Sequence, residues 1–341
     1  MVYFDSDYME GAHPDVMARL VETNLEHTGG YGFDRYSDEA RNYIRKVCEA
    51  PNALVQFLVG GTQTNATVID ALLRRHEGVL AADTAHINVH ESGAIEHSGH
   101  KILVLPSHQG KVSAEEVDHY ISEFYRDDTF EHMVAPGMLY ITQATEYGTI
   151  YSLAELEAIS AVCHKHDIPL YLDGARLGYA LASDAADFTL ADIARLCDVF
   201  YIGGTKQGAL FGEAVVAPDP SRLPHFFPLI KQHGALLAKG RISGVQFGAL
   251  FADGLYVRIA RHAVVLAQKI RQAFLKRGYK VAIDSPTNQQ FFILPNDVMD
   301  RLHDQVSFQL WGPRGEKETT VRFVTSWATT EEDVEKLISL L

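Results

Sequence analysis

Apolar residues recur along this chain in two alternating rhythms. After a short polar opening, "PDVMARLVETNLEH" (14–27) and "SDEARNYIRKVCEA" (37–50) space theirs three and four apart, as on a helix with one buried face. Short continuous apolar runs then alternate with further helical patterns. "ALVQFLVGG" is followed by "NATVIDALLRRHEG", and "VLAA" by a histidine-rich loop and "KILVLPS". "SAEEVDHYISEFYRD" precedes "MLYITQA", "SLAELEAISAVCHKHD" precedes "PLYLDGA", and "LADIARLC" precedes "DVFYIGG". Strands that are apolar throughout and separated by helices predict a mostly parallel sheet covered on both faces. From 244 to 277 the spacing predicts a long helical region. "VAI", "FFILP", "SFQLW" and "TVRFVTSW" follow in a less regular order and close on the helix "TEEDVEKLISLL". The expected organisation is an N-terminal arm (1–15), a large α/β domain (16–243) and a smaller C-terminal α+β domain (244–341).

Composition narrows the partners. The net charge of −14 is spread along the chain, which argues against nucleic acid or an anionic membrane as a partner. No apolar window approaches the ~18 residues of a membrane span. The opening residues pair no basic segment with an apolar run, so a secretory signal is not expected. Three scattered cysteines outside any CxxC fit a reducing cytoplasm and no cysteine metal site.

In a parallel α/β sheet, ligands sit beyond the C-terminal ends of the strands, so polar residues there are the candidates. "VGGTQTN" (59–65) opens a helix with two glycines, where free backbone amides can cradle a phosphate; the alternative is a tight turn with Thr62 or Thr64 as the cap. "YLDGARLG" (171–178) puts Asp173 at the end of an apolar strand with Arg176 in the turn after it. The two can simply pair, or the carboxylate can face a cationic ring nitrogen. "DVFYIGGTKQGALFGEAVV" (198–216) carries a single lysine, Lys206, just past a strand, and lysine is rarely buried without a purpose. A phosphate cradle, a strand-end aspartate and a later strand-end lysine are together the groups that pyridoxal phosphate requires. The aspartate keeps the pyridine nitrogen protonated, and the lysine bonds the aldehyde. In "DTAHINVHESGAIEHSGH" (83–100), His86 and His90 have HxxxH spacing, but the glycines and the lack of HExxH argue against a metal. His86 suits stacking over a planar ring, and His90, His97 and His100 read as loop or surface histidines. Arg322, alone among uncharged residues of a strand, suits a substrate carboxylate.

With these motifs the chain resembles the threonine aldolases within the β-eliminating-lyase group of fold-type-I pyridoxal-phosphate enzymes, especially the bacterial low-specificity L-threonine aldolases. The resemblance runs over nearly the whole chain through "DTAH", "ITQATEYGTIY", "LDGARL", "GGTKQGALFGEA" and "VRFVTSW". It implies a fold-type-I transferase-like α/β fold, whose large domain binds the cofactor. It implies Lys206 as the cofactor-bonding lysine, Asp173 at the pyridine nitrogen, and Arg176 at the ring oxygen or the substrate carboxylate. His86 would stack on the ring, and Gly61, Thr62 and Thr205 would bind phosphate. Ser6 and Arg322 match carboxylate-binding positions, and Tyr31 in "GYGFD" matches a family tyrosine, with Phe33 replacing an aspartate. Basic residues in "KQHGALLAKGR" (231–241) would reach a neighbouring subunit's cofactor phosphate, with Lys239 the candidate among Lys231, Lys239 and Arg241.

Glu146 stands where some members have a histidine, which leaves His86, Glu146 or a water as the base for the substrate hydroxyl. The implied activity is cleavage of β-hydroxy-α-amino acids to glycine and an aldehyde by a cytoplasmic homodimer or homotetramer with its active site at the subunit interface. The alternatives are a β-eliminating lyase releasing ammonia and a keto acid, and a non-catalytic cofactor-fold binding protein.

Overall fold

The computed structural model describes residues 1–341. Seven strands form the main sheet: β1 (Leu54–Leu58), β2 (Glu77–Ala82), β3 (Ile102–Leu105), β4 (Ala135–Thr142), β5 (Leu170–Asp173), β6 (Val199–Gly203) and β7 (Glu213–Ala217). Their order is β1-β7-β6-β5-β4-β2-β3, with β7 antiparallel to both neighbours and the other pairings parallel. The mostly parallel sheet expected from the apolar runs is present. β7 is the exception, because the run from 198 to 216 turns back on itself around Lys206 as a hairpin.

Helices on both faces bury a core that includes Leu80, Leu139, Leu172, Phe200 and Val215. Several start where chemistry dictates. Ser113, Ser152, Thr189 and Thr330 each accept from the third helical N–H, and the acidic side chain there reaches back.

The helical region expected over 244–277 is two helices, Arg241–Ala252 and Leu255–Lys276. Gly254, at φ 66°, makes the break, a conformation that residues with side chains adopt at a cost. The first helix packs against Arg35–Val47 so closely that a Cβ on Gly244 would lie 2.5 Å from the Ser37 nitrogen. The second runs from the large core, through Leu255 and Ile259, to a second one containing Leu266, Ile270 and Phe274. There it lies under an antiparallel sheet formed by β8 (Lys280–Ile283), β9 (Gln289–Pro295), β10 (Gln309–Leu310) and β11 (Glu318–Val324), in the order β10-β11-β9-β8. Phe274 and Phe292 stack with ring centres 4.1 Å apart at its centre.

The N-terminal arm belongs to this second layer. Val2–Tyr3 pairs in parallel with Val306–Ser307, and Phe4 is buried in the second core. The arm then delivers Asp7 and Tyr8 to the ends of the main-sheet strands. No helix is long and apolar enough to cross a membrane.

Gly244→Ala should force the two helices apart and cost about 1–3 kcal/mol, read as an earlier urea midpoint. An unchanged midpoint would show that this contact can relax.

Candidate active site

β5 ends at Asp173, and four donors converge on its buried carboxylate. Tyr140 of β4 donates to Oδ2 at 2.6 Å and Tyr201 of β6 to Oδ1 at 2.5 Å. Asn65 donates to Oδ2 at 3.0 Å, and the backbone N–H of Ala175 to Oδ1 at 2.9 Å. The acid is thus held from both flanking strands, from the helix Gly61–Leu72 and from its own turn. The turn has no room for a side chain at its first residue, since a Cβ on Gly174 would sit 1.9 Å from the Tyr201 carbonyl oxygen.

A cavity of about 290 Å³ opens above Asp173, and Gly60, Gly61, Thr62, His86, Glu146, Arg176, Thr205, Lys206 and Glu213 also line it. The helix Gly61–Leu72 points its N-terminus at this space. Its cap is Gly60, not Thr62 or Thr64, and no side chain satisfies the first amides. A Cβ on Gly60 would meet nothing within 4 Å, so the approach to these amides is open. That is an anion cradle built from backbone alone.

Lys206 sits in the hairpin loop between β6 and β7. Burial, followed by the neighbouring Arg176 charge, pulls its ammonium below the usual lysine range, against the opposing pull of Asp7, Asp173 and Glu213. Glu213 is paired in the sheet with Leu58 on one side and Gly203 on the other, which places it between the strands that lead to the cradle and to Lys206. Its carboxyl accepts from Thr205 Oγ1 at 2.8 Å and from the Gly204 N–H at 3.1 Å. Burial pushes it up to about 8 despite these bonds and the Lys206 charge.

On the opposite wall, His86 Nδ1 lies 2.7 Å from Glu91, and the His86 backbone N–H donates to Glu146 Oε1 at 3.1 Å. Thr142 donates to the other Glu146 oxygen at 3.2 Å. Glu146 is buried, and burial raises its carboxyl above the usual range.

Two arginines differ in their charge balance. Arg176 grips Asp7 through Nε at 2.7 Å and a terminal nitrogen at 2.9 Å. Burial alone would raise the Asp7 carboxyl, but Arg176, Lys206 and a bond from Asn288 hold it below its usual value. Arg322, in mid-β11, instead meets the neutral oxygens of Gln289 (2.8 Å) and Gln309 and the face of Trp311, 4.8 Å from its centre. No carboxylate forms an ion pair with it, and its Nε is buried without a partner. Burial and the repulsion of Arg176 push it down to about 10.

The cavity therefore brings together Lys206, His86, Glu146, Gly61, Thr62, Asp173, Arg176 and Thr205. Ser6, Tyr31, Lys239 and Arg322 do not line it. Ser6 is buried next to Asp7, and Tyr31 is exposed with the Lys231 amine 4.9 Å from its ring centre. Lys239 lines a separate cavity of about 680 Å³, which shares Phe211 with the first. The Thr205 hydroxyl is engaged within its own loop, donating to Glu213 and accepting from the Gly212 N–H at 3.0 Å. His100 is not a surface residue: it is buried, with Nε2 3.3 Å from Asp70 and Nδ1 3.2 Å from the Glu77 carbonyl.

The sequence reading missed Asn65, Tyr140, Tyr201, Glu91, Glu213 and Asp7. Asn65 carried a signal, because it follows Gly61 by four residues and so shares the cradle's helix face.

Comparison with known proteins follows the same lines. The family described as beta-eliminating lyase matches residues 4–289. The low-specificity L-threonine aldolase of Pseudomonas sp. (strain NCIMB 10558) is 31% identical, with 98% of this chain and 95% of the relative covered. The structure of a Leishmania major threonine aldolase superposes with a TM-score of 0.96 at 39% identity, covering 100% of this chain and 98% of that one. Aspartate aminotransferase from Thermus thermophilus shares the fold, with a TM-score of 0.73 at 15% identity, covering 100% of this chain and 90% of that one.

One titration is testable without any ligand. Between the ordinary 4.5 of a glutamate and about 8, the folded chain holds a proton on Glu213 that the unfolded chain has shed. Its contribution to stability is present at low pH and lost as the pH rises through that window. Glu213→Gln should therefore flatten the fall in melting temperature from about pH 5 to 8. Parallel slopes in the two proteins would show Glu213 ionised throughout.

Proposed function

The chain belongs to the beta-eliminating lyase family, and we propose that it is a pyridoxal-phosphate-dependent aldolase that releases glycine and an aldehyde from threonine-like β-hydroxy-α-amino acids. The donor set fits the cofactor: an open amide cradle, a strand-end carboxylate and a lysine with a depressed ammonium share one cavity. Gly61 and Thr62 would take the phosphate, Asp173 the pyridine nitrogen, His86 the ring face and Lys206 the aldehyde carbon. When bound, the cofactor supplies an electron sink for the pair left on Cα.

The rest is the work of the protein's own groups. Arg322 is a buried cation that no carboxylate touches and whose Nε has no partner, a costly arrangement that a substrate carboxylate would relieve. Ser6 lies on the arm that runs between Arg322 and Arg176. Holding the carboxylate there fixes which Cα bond stands perpendicular to the ring, and only that bond overlaps the sink. Arg176 is gripped by Asp7 through two nitrogens, so it serves mainly to fix the arm.

A single observation carries the aldol reading over elimination: Glu146, a carboxyl raised by burial, opens into the same cavity as Lys206 and Asp173. Retro-aldol cleavage needs a base at the β-hydroxyl, and a carboxyl poised above its usual range suits that step. Lys239 and Tyr31, which lie outside this chain's cavity, would serve a neighbouring subunit in a homo-oligomer. The exposed apolar side chains of Val21, Leu25 and Phe33 in the same region support that arrangement.

Incubation with pyridoxal phosphate and threonine should release glycine; ammonia with a keto acid would favour elimination instead. Borohydride reduction and peptide mapping should place the cofactor on Lys206, and label on another lysine would sink the assignment. Asp173→Asn should still bind cofactor but lose about 4 kcal/mol or more of transition-state stabilisation in turnover. Glu146→Gln should slow glycine release from threonine far more than Cα-proton exchange of glycine, whereas equal losses would make Glu146 a support for the cofactor.

A further inference from the structure

Glu91 lies behind the cavity wall, and the chemistry above leaves it unused. Its side chain is wholly buried. Oε1 meets two nitrogens, His86 Nδ1 at 2.7 Å and Asn65 Nδ2 at 2.8 Å, while Oε2 has no partner. The second Asn65 N–H goes to Asp173, and the Asn65 carbonyl accepts from the Tyr171 hydroxyl at 2.9 Å. That amide orientation is forced, since the opposite one would aim its oxygen at two carboxylates. Glu91 and Asp173 are therefore tied through one side chain, and Glu91 adds His86 to the frame.

A carboxylate oxygen that already accepts from Asn65 has nothing to donate, so the nitrogen facing it carries the proton. The other ring nitrogen has no hydrogen-bond partner in the protein, and the half-buried ring lines the cavity. We infer that Glu91 is a positioning residue: it keeps a proton on Nδ1 of His86, so that the ring in its neutral form is the Nδ1–H tautomer with Nε2 turned to the cavity, and through Asn65 it keeps that ring in register with Asp173. His86 is then held twice over, at its ring by Glu91 and at its backbone N–H by Glu146. Second-layer carboxylates set imidazole tautomers in this way elsewhere. Only the kinetic part of the test rests on the aldolase reading.

Protein labelled with ¹⁵N-histidine and free of cofactor should show His86 protonated on Nδ1. A neutral His86 ring that carries its single proton on Nε2 in the wild-type protein would overturn the inference without any variant. Glu91→Leu should lose the tautomer preference and reduce kcat roughly tenfold or more. Glu91→Gln keeps an oxygen that can accept from both donors, and it should retain the tautomer and most of kcat. A leucine variant with unchanged tautomer and turnover refutes the role. So does an equal loss in both variants that tracks melting temperature, which would make Glu91 merely structural. Failure of the aldolase reading would appear differently, as no glycine from the wild-type enzyme with the His86 tautomer intact.

Discussion

Everything in this site is referred to one anchored carboxylate. Asp173 ends the middle strand of a sheet whose neighbours both reach over to it, through Tyr140 and Tyr201, while Asn65 approaches from the helix that forms the cradle. The distance from ring nitrogen to phosphate in a bound cofactor is fixed by covalent bonds. A site for it must fix the distance from acid to amides just as firmly. Asn65 does this directly, because it stands one turn below Gly61 on the same helix and bonds the acid itself.

Charge is balanced in layers around that anchor. Near the arm, Arg176 and Asp7 form a buried bidentate pair, the kind of pairing that guanidinium geometry favours. Beyond it, Arg322 is left with amide oxygens and an indole face. Burial, with the neighbouring Arg176 charge, holds it below the ordinary arginine range. Glu213 and Lys206 form the other unsettled pair, each pushed toward its neutral form. The anchoring Asp173 is thus saturated with donors while Arg322 and the Lys206–Glu213 pair are left unbalanced, a pattern expected of a preorganised site.

Much of this was legible in the sequence, for identifiable reasons. Continuous apolar runs between helical patterns implied the parallel sheet, and the strand-end rule led to Asp173, Lys206 and the "VGG" turn. The antiparallel β7 was harder, since Gly203 to Gly212 reads equally as a loop or as a bent strand. Tyr140 and Tyr201 are ordinary strand residues by type, and only the pairing of β4, β5 and β6 turns their hydroxyls onto one carboxylate. Glu91 was hidden among the histidines around it. Its importance lies in a contact with Asn65, 26 residues earlier, which no local spacing reveals.

The arm also has a temporal consequence. Val2 and Tyr3 find their partners only at Val306 and Ser307, and Phe4 enters a core completed by Phe323 and Leu337. During synthesis the main-sheet segments leave the ribosome before the C-terminal strands, so cradle, aspartate and lysine can come together early. Asp7 has no fixed path to Arg176 until the C-terminal strands emerge. A growing chain can therefore assemble Gly61, Asp173 and Lys206 around their cavity long before the Asp7–Arg176 pair can form.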